Sequence, residues 1–218
     1  MKSKILGLLA VGLLSSASSA QANLLINGSF ESGAFVNQGA DTMVLEAGST
    51  VITAWAVITD DTAWIGPSNT WGLTASDGDY FLDLTSYLAG APFAGMSQTI
   101  ATTPGATYSL SFDLGSSTAW GVPSSITASA ASTSQTFTSP TTGIDVWTRA
   151  VMQFLATSVT TTVVLQGADA FNYIGLDNAV VRCVSSCSDG VVVPEPGSLA
   201  LLGLGLAGLG LTRRRKAA

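Results

Sequence analysis

Tyr108-Ser109-Leu110-Ser111-Phe112-Asp113-Leu114 alternates apolar and polar residues without a break. A period of two places Tyr108, Leu110, Phe112 and Leu114 on one side and Ser109, Ser111 and Asp113 on the other, the pattern of a strand with one buried face. Pro104-Gly105, just ahead of it, is a turn signal. The same reading extends along the chain. Trp147–Phe154 alternates, Thr160–Gln166 and Ile174–Cys183 are β-branched runs, and Thr50–Thr59, Asp79–Leu84, Met96–Ala101 and Ser124–Ala130 are shorter candidates. No stretch of the body carries a capped amphipathic helix. About eight or more short strands in one body predict an all-β fold, a jelly-roll β-sandwich.

The two ends read differently from this body. Residues 1–22 combine Lys2 and Lys4, an apolar run Ile5–Leu14 and the small-residue end Ala20-Gln21-Ala22. That is the layout of a secretory signal peptide, with the mature chain expected from Asn23. At the other end Pro194-Glu195-Pro196 precedes the apolar run Leu199–Leu211 and the cluster Arg213-Arg214-Arg215-Lys216. The run is short for a hydrocarbon core of about 30 Å and is weakened as a helix by Gly203, Gly205, Gly208 and Gly210. The basic cluster keeps this end cytoplasmic and the body outside.

Of the 14 acidic residues all but Glu195 lie in the body, whose only basic residues are Arg149 and Arg182. Such a body repels nucleic acid and anionic membrane surfaces, so no nucleic-acid partner is expected. The chain has no His, and the body has no Lys, which removes Ser-His-Asp and Cys-His chemistry. Paired carboxylates of the kind glycosidases use remain, at Asp60-Asp61 and at Asp77, Asp79 and Asp83. Asp77 precedes a glycine and reads as turn chemistry, and solvated acids are the commoner meaning of such pairs. Cys183 and Cys187, the only cysteines, read as a small-loop disulfide in an exported chain.

Pro194-Glu195-Pro196, a short apolar span and an Arg-rich end resemble the PEP-CTERM sorting signal of exopolysaccharide-producing Gram-negative bacteria. The resemblance implies recognition by a membrane-embedded exosortase and transient inner-membrane contact. Within the body, Asn23–Glu31, Ala75–Leu84, Ser97–Asp113 and Gly175–Val181 resemble, in order, strands of galactose-binding-like and family-4-type carbohydrate-binding modules. Asn23–Glu31 stands where such modules have their first strand, and the match is nearest to the choice-of-anchor C class. The resulting organisation is a signal peptide over 1–22, a β-sandwich over 23–184, a linker over 185–193 and a sorting signal with a short transmembrane helix over 194–218.

This resemblance also implies a structural Ca²⁺ held by Glu31, Asp177 and backbone carbonyls, whose hard oxygens suit that ion. The alternative is that both carboxylates cap strands and bond to loop amides. Trp64 and Trp71, in a loop-like stretch, and Trp120, in a turn, are candidates for stacking on sugars. Trp55 and Trp147 sit on alternating strands and belong to the core. The expectation is a non-catalytic protein of the cell surface or extracellular matrix that binds extracellular polysaccharide. Two alternatives stay open: a glycosylated structural matrix protein without a defined ligand, and a carboxylate-dependent glycoside hydrolase.

Overall fold

The computed structural model describes residues 22–86, 91–120, 123–140 and 143–187. The signal peptide up to residue 21, the transmembrane sorting helix and the sorting-motif residues Pro194, Glu195, Pro196, Arg213, Arg214 and Arg215 lie outside the described residues. By backbone contacts the chain divides into two units, Met1–Ser186 and Cys187–Ala218. Every strand belongs to the first unit, and among the described residues there is no helix.

Two antiparallel sheets make a jelly-roll sandwich. The larger joins β1 (Thr42–Leu45), β3 (Thr62–Ile65), β4 (Phe81–Asp83), β11 (Gly175–Ser185), β6 (Thr107–Ser116) and β9 (Val146–Leu155) in that spatial order. The smaller joins β2 (Ala56–Ile58), β5 (Gly95–Ala101), β10 (Thr160–Asp169), β7 (Ser125–Ala130) and β8 (Thr133–Thr138). β6 pairs with β9 from Thr107↔Leu155 to Ser116↔Val146. This register directs Leu110, Phe112 and Leu114 inward, where they meet Met96, Val163 and Leu165 of the smaller sheet in one buried core.

The alternating stretches are strands, and the differences from expectation lie where alternation is absent. Asn23–Glu31 is not a first strand. Asn27 and Phe30 adopt φ of 56° and 59°, which breaks a ladder, and the segment is a turn held by its own side chains. Thr50–Thr59 contracts to β2 because Ala54 and Thr59 have φ of 68° and 75°. β1 and β3 were unforeseen, and β3 is buried at all four positions, so it has no period-two signature.

The outer faces of the two sheets differ in chemistry. On the smaller sheet, hydroxyls pair across strands: Thr99 with Thr162, Ser125 with Thr138, Thr127 with Thr136, and Ser129 with Ser134, at 2.7–2.9 Å. On the larger sheet, Ala63, Ile65 and Phe81 point away from the main core. They form a second apolar cluster with Leu73 and Tyr173, against which Trp71, Trp120 and Trp147 pack.

Candidate functional site

The second cluster encloses a pocket. Its floor is the outer face of β3 and β4, at Ile65 and Asp83. The rest of its lining is Trp71 and Leu73, of the loop after β3, with Trp120, after β6, and Asn172 and Tyr173 ahead of β11. The cavity measures about 170 Å³. Trp71 and Trp120 meet edge to face, with ring centroids 5.5 Å apart and planes at 82°. Trp120 Nε1 donates to the Trp71 carbonyl at 3.2 Å, and Trp71 Nε1 reaches Thr42 Oγ1 at 3.4 Å. Trp71 and Trp120 are both half-buried, so each keeps ring surface accessible.

Trp64, grouped with them from the sequence, is elsewhere. It faces the main core, 1% exposed, and its Nε1 donates to the Phe30 carbonyl at 3.1 Å. Its neighbours on β3 face outward, so the period of two sends Trp64 inward and removes it from any surface site.

Asp83 is the residue the sequence reading misplaced among solvated acids. It is buried, and its Oδ1 accepts three bonds, from the Thr85 amide and hydroxyl and from the Ile174 amide, each at 3.0 Å. The strand's period of two puts Asp83 on the side of Phe81, but Phe81-Leu82-Asp83 carries no alternation that would show it in the sequence. Burial pushes the Asp83 carboxyl up to about 6, against the pull of those three donors. Burial, followed by the charge of Asp83, also pushes up the Tyr173 hydroxyl. That hydroxyl lies against the backbone of Gly115 and Gly175 and has no hydrogen-bond partner.

The expected carboxylate pair at the junction of the chain's ends exists, and the loop 76–80 brings it together. Glu31 Oε1 accepts the amides of Asp79 and Tyr80 at 2.9 and 2.8 Å. Asp177 Oδ2 accepts those of Ser76 and Asp77 at 2.8 and 2.9 Å, and its Oδ1 accepts the Asn178 amide at 2.6 Å. Gly78, at the centre, has φ of 77°, and a Cβ there would stand 2.5 Å from Glu31 Oε1. Behind the loop, Asp113 accepts the Ser76 hydroxyl and is paired with Arg149 at 2.9 Å. Asn178, at φ 49°, throws the β11 ladder out of register, so that the Ala179 amide bonds to the Gly28 carbonyl at 2.8 Å.

Among the described residues no group of three or more His, Cys, Asp or Glu is placed to hold a metal. Glu31 and Asp177 form a hydrogen-bonded clamp on the loop 76–80.

Burial pushes Asp177, fully inaccessible, up to about 7, against its three amide donors. Asp83 and Asp177 therefore keep their protons in the folded state at pH values where the unfolded chain, titrating near 3.8, has released them. Their contribution to stability is complete below about pH 4 and is lost as pH rises through 6 and 7. Thermal melts from pH 4 to 8 are expected to show a falling midpoint, a loss on the order of a few kcal/mol. Asp83→Asn should flatten the fall around pH 6. A midpoint that rises across this window would contradict the assignment.

Cys183 and Cys187 are disulfide-bonded at the end of β11.

A family model described as a protein of unknown function, DUF642, matches residues 23–172. The chain belongs to this family. The DUF642 match takes in Trp71, Asp83, Trp120 and Asn172 and stops one residue short of Tyr173. A second model, the PEP-CTERM protein-sorting motif, matches residues 192–216, which include Pro194, Glu195, Pro196 and the three arginines. This motif marks the DUF642 protein for export and sorting to the cell envelope.

Among solved structures, a family 61 carbohydrate-binding module in complex with β-1,4-galactotriose is 17% identical over 75% of this chain and 99% of its own, with a TM-score of 0.47. The CBM22-1 xylan-binding domain from Paenibacillus barcinonensis Xyn10C is 14% identical over 66% and 92%, with a TM-score of 0.41. A CBM4 structure is 15% identical over 73% and 99%, with a TM-score of 0.38. No curated protein matches the chain.

Proposed function

We propose that this DUF642 protein is a non-catalytic carbohydrate-binding protein of the cell surface or exopolysaccharide matrix, released to that layer by an exosortase. The observation that carries this reading is the pocket lined by Trp71 and Trp120. Apolar walls with a few convergent polar groups are the make-up of small-molecule sites, and indole faces suit the C–H faces of a sugar ring. Asp83 and Asn172 supply polar groups for its hydroxyls. The pocket holds one carboxylate, whereas glycosidases flank the scissile bond with two, which supports binding over hydrolysis.

The test is a pull-down of the protein on isolated exopolysaccharide, repeated with Trp71→Ala and Trp120→Ala. Either substitution is expected to cut the bound fraction at least tenfold while circular dichroism stays that of the parent. Undiminished binding by both variants would remove the pocket from the function.

One observation favours a second reading, a structural matrix protein. The cross-strand hydroxyl pairs give the smaller sheet a flat, polar outer face suited to packing or glycosylation. Binding that survives both tryptophan substitutions would support it.

A further inference from the structure

Size and charge narrow what the pocket accepts, granted the carbohydrate-binding reading above. Ligand sites for drug-sized molecules run to roughly 300–1,000 Å³. At about 170 Å³ this cavity has room for one pyranose ring, and a second residue of a chain has to lie outside it. Ile65 and Asp83, of β3 and β4, line it together with the contacting pair Trp71 and Trp120.

The polar equipment is one-sided in charge. Hydrogen bonds to the Asp83 carboxylate among the described residues all fall on Oδ1, and Oδ2 is the remaining acceptor of this lining residue. Among the described residues no cationic side chain lines the pocket. The body's two arginines do not supply one. Arg149 is committed to Asp113, Ser111 and the Asn178 carbonyl, and Arg182 lies on β11 opposite Ser109. A carboxylate, sulfate or phosphate on the ligand would therefore face Asp83 at close range with nothing to neutralise it. A neutral polyol meets no such penalty, because its hydroxyls donate to the carboxylate.

We infer that the pocket formed by Trp71, Trp120, Asp83 and Asn172 takes a single neutral sugar residue at the end of a glycan chain, and rejects uronic acids and internal chain segments. It is a site for chain ends. Recognition of an end, and not of a run of residues, makes affinity independent of chain length.

The test is calorimetric titration of the full chain at pH 7.5. The probes are the methyl β-glycosides of glucose, galactose, mannose and xylose, the matching trisaccharides, and galacturonic acid. At least one neutral monosaccharide glycoside is expected to bind within about threefold of its trisaccharide. Galacturonic acid should bind at least tenfold more weakly than that glycoside. Asp83→Asn, which keeps an acceptor for Thr85 and Ile174, should weaken the neutral glycoside at least tenfold and narrow the gap to galacturonic acid.

Affinity that climbs tenfold or more from one sugar to three would overturn end recognition while leaving carbohydrate binding intact. Galacturonic acid binding as tightly as the neutral glycosides would overturn the charge selection in the same way. No heat with any probe, together with no retention on polysaccharide, would bring down both readings.

Discussion

Asp177→Ala is expected to lower the unfolding free energy by about 3–5 kcal/mol, because it strips the acceptor from three amides in one step. The residue is fully buried, and its two oxygens hold Ser76, Asp77 and Asn178. Small domains are stable by only about 5–15 kcal/mol, so the variant should unfold at clearly lower denaturant. Asp177→Asn retains one carbonyl oxygen and should lose roughly half as much. Amide exchange gives the local readout: protection at Ser76 and Asp77 should fall further than at Leu110 in the core. Equal stability of the alanine variant and the parent would show that the clamp is ornamental. Glu31→Ala should cost less, because Glu31 is exposed and water can replace its oxygen.

Trp64→Ala is expected to cost about 3–5 kcal/mol, the range for truncating a buried aromatic. Its ring is packed between Phe35, 5.2 Å away, and Tyr80, 5.4 Å away, and a Cβ on Gly33 would come within 2.8 Å of it. The loss also orphans the Phe30 carbonyl. Urea unfolding should report the drop, while affinity of the remaining folded protein for polysaccharide should match the parent. A Trp64→Ala protein of normal stability with lost binding would reverse the assignment and return Trp64 to the site. The contrast with Trp71→Ala separates core tryptophan from pocket tryptophan by two independent measurements.

Much of the fold could be read before any coordinates. β6, β9, β10 and β11 alternate or are β-branched over ten or eleven residues, long enough for the period to stand out. β1, β3 and β4 have three or four residues, too few to display a period. Burial of both faces erased what remained of it in β3. The same cause moved Trp64 to the wrong group: without a strand at Thr62–Ile65, nothing distinguished the direction of Trp64 from that of Trp71.

Asp83 was hidden differently. Its partners, Thr85 and Ile174, are unremarkable in sequence, and only the pairing of β4 with β11 brings Ile174 beside it. Glu31 and Asp177 were legible as a pair, since the order of resembling segments brought the ends together. Their chemistry stayed open between a Ca²⁺ site and bonds to loop amides, because backbone amides leave no mark in a sequence.

The closure of the chain's ends has a consequence for the order of events during synthesis and export. Leu24 donates to the Val181 carbonyl at 2.9 Å, and Asn23 bonds both to the Ala179 carbonyl and to the Val181 amide. β11 itself stands between β4 and β6, in the interior of the larger sheet. A polypeptide emerging N-terminus first thus delivers the keystone of that sheet last. Until residue 181 arrives, Asn23 and Leu24 lack the strand they bond to, and β4 and β6 have no neighbour between them. The larger sheet cannot close before its final strand has come through.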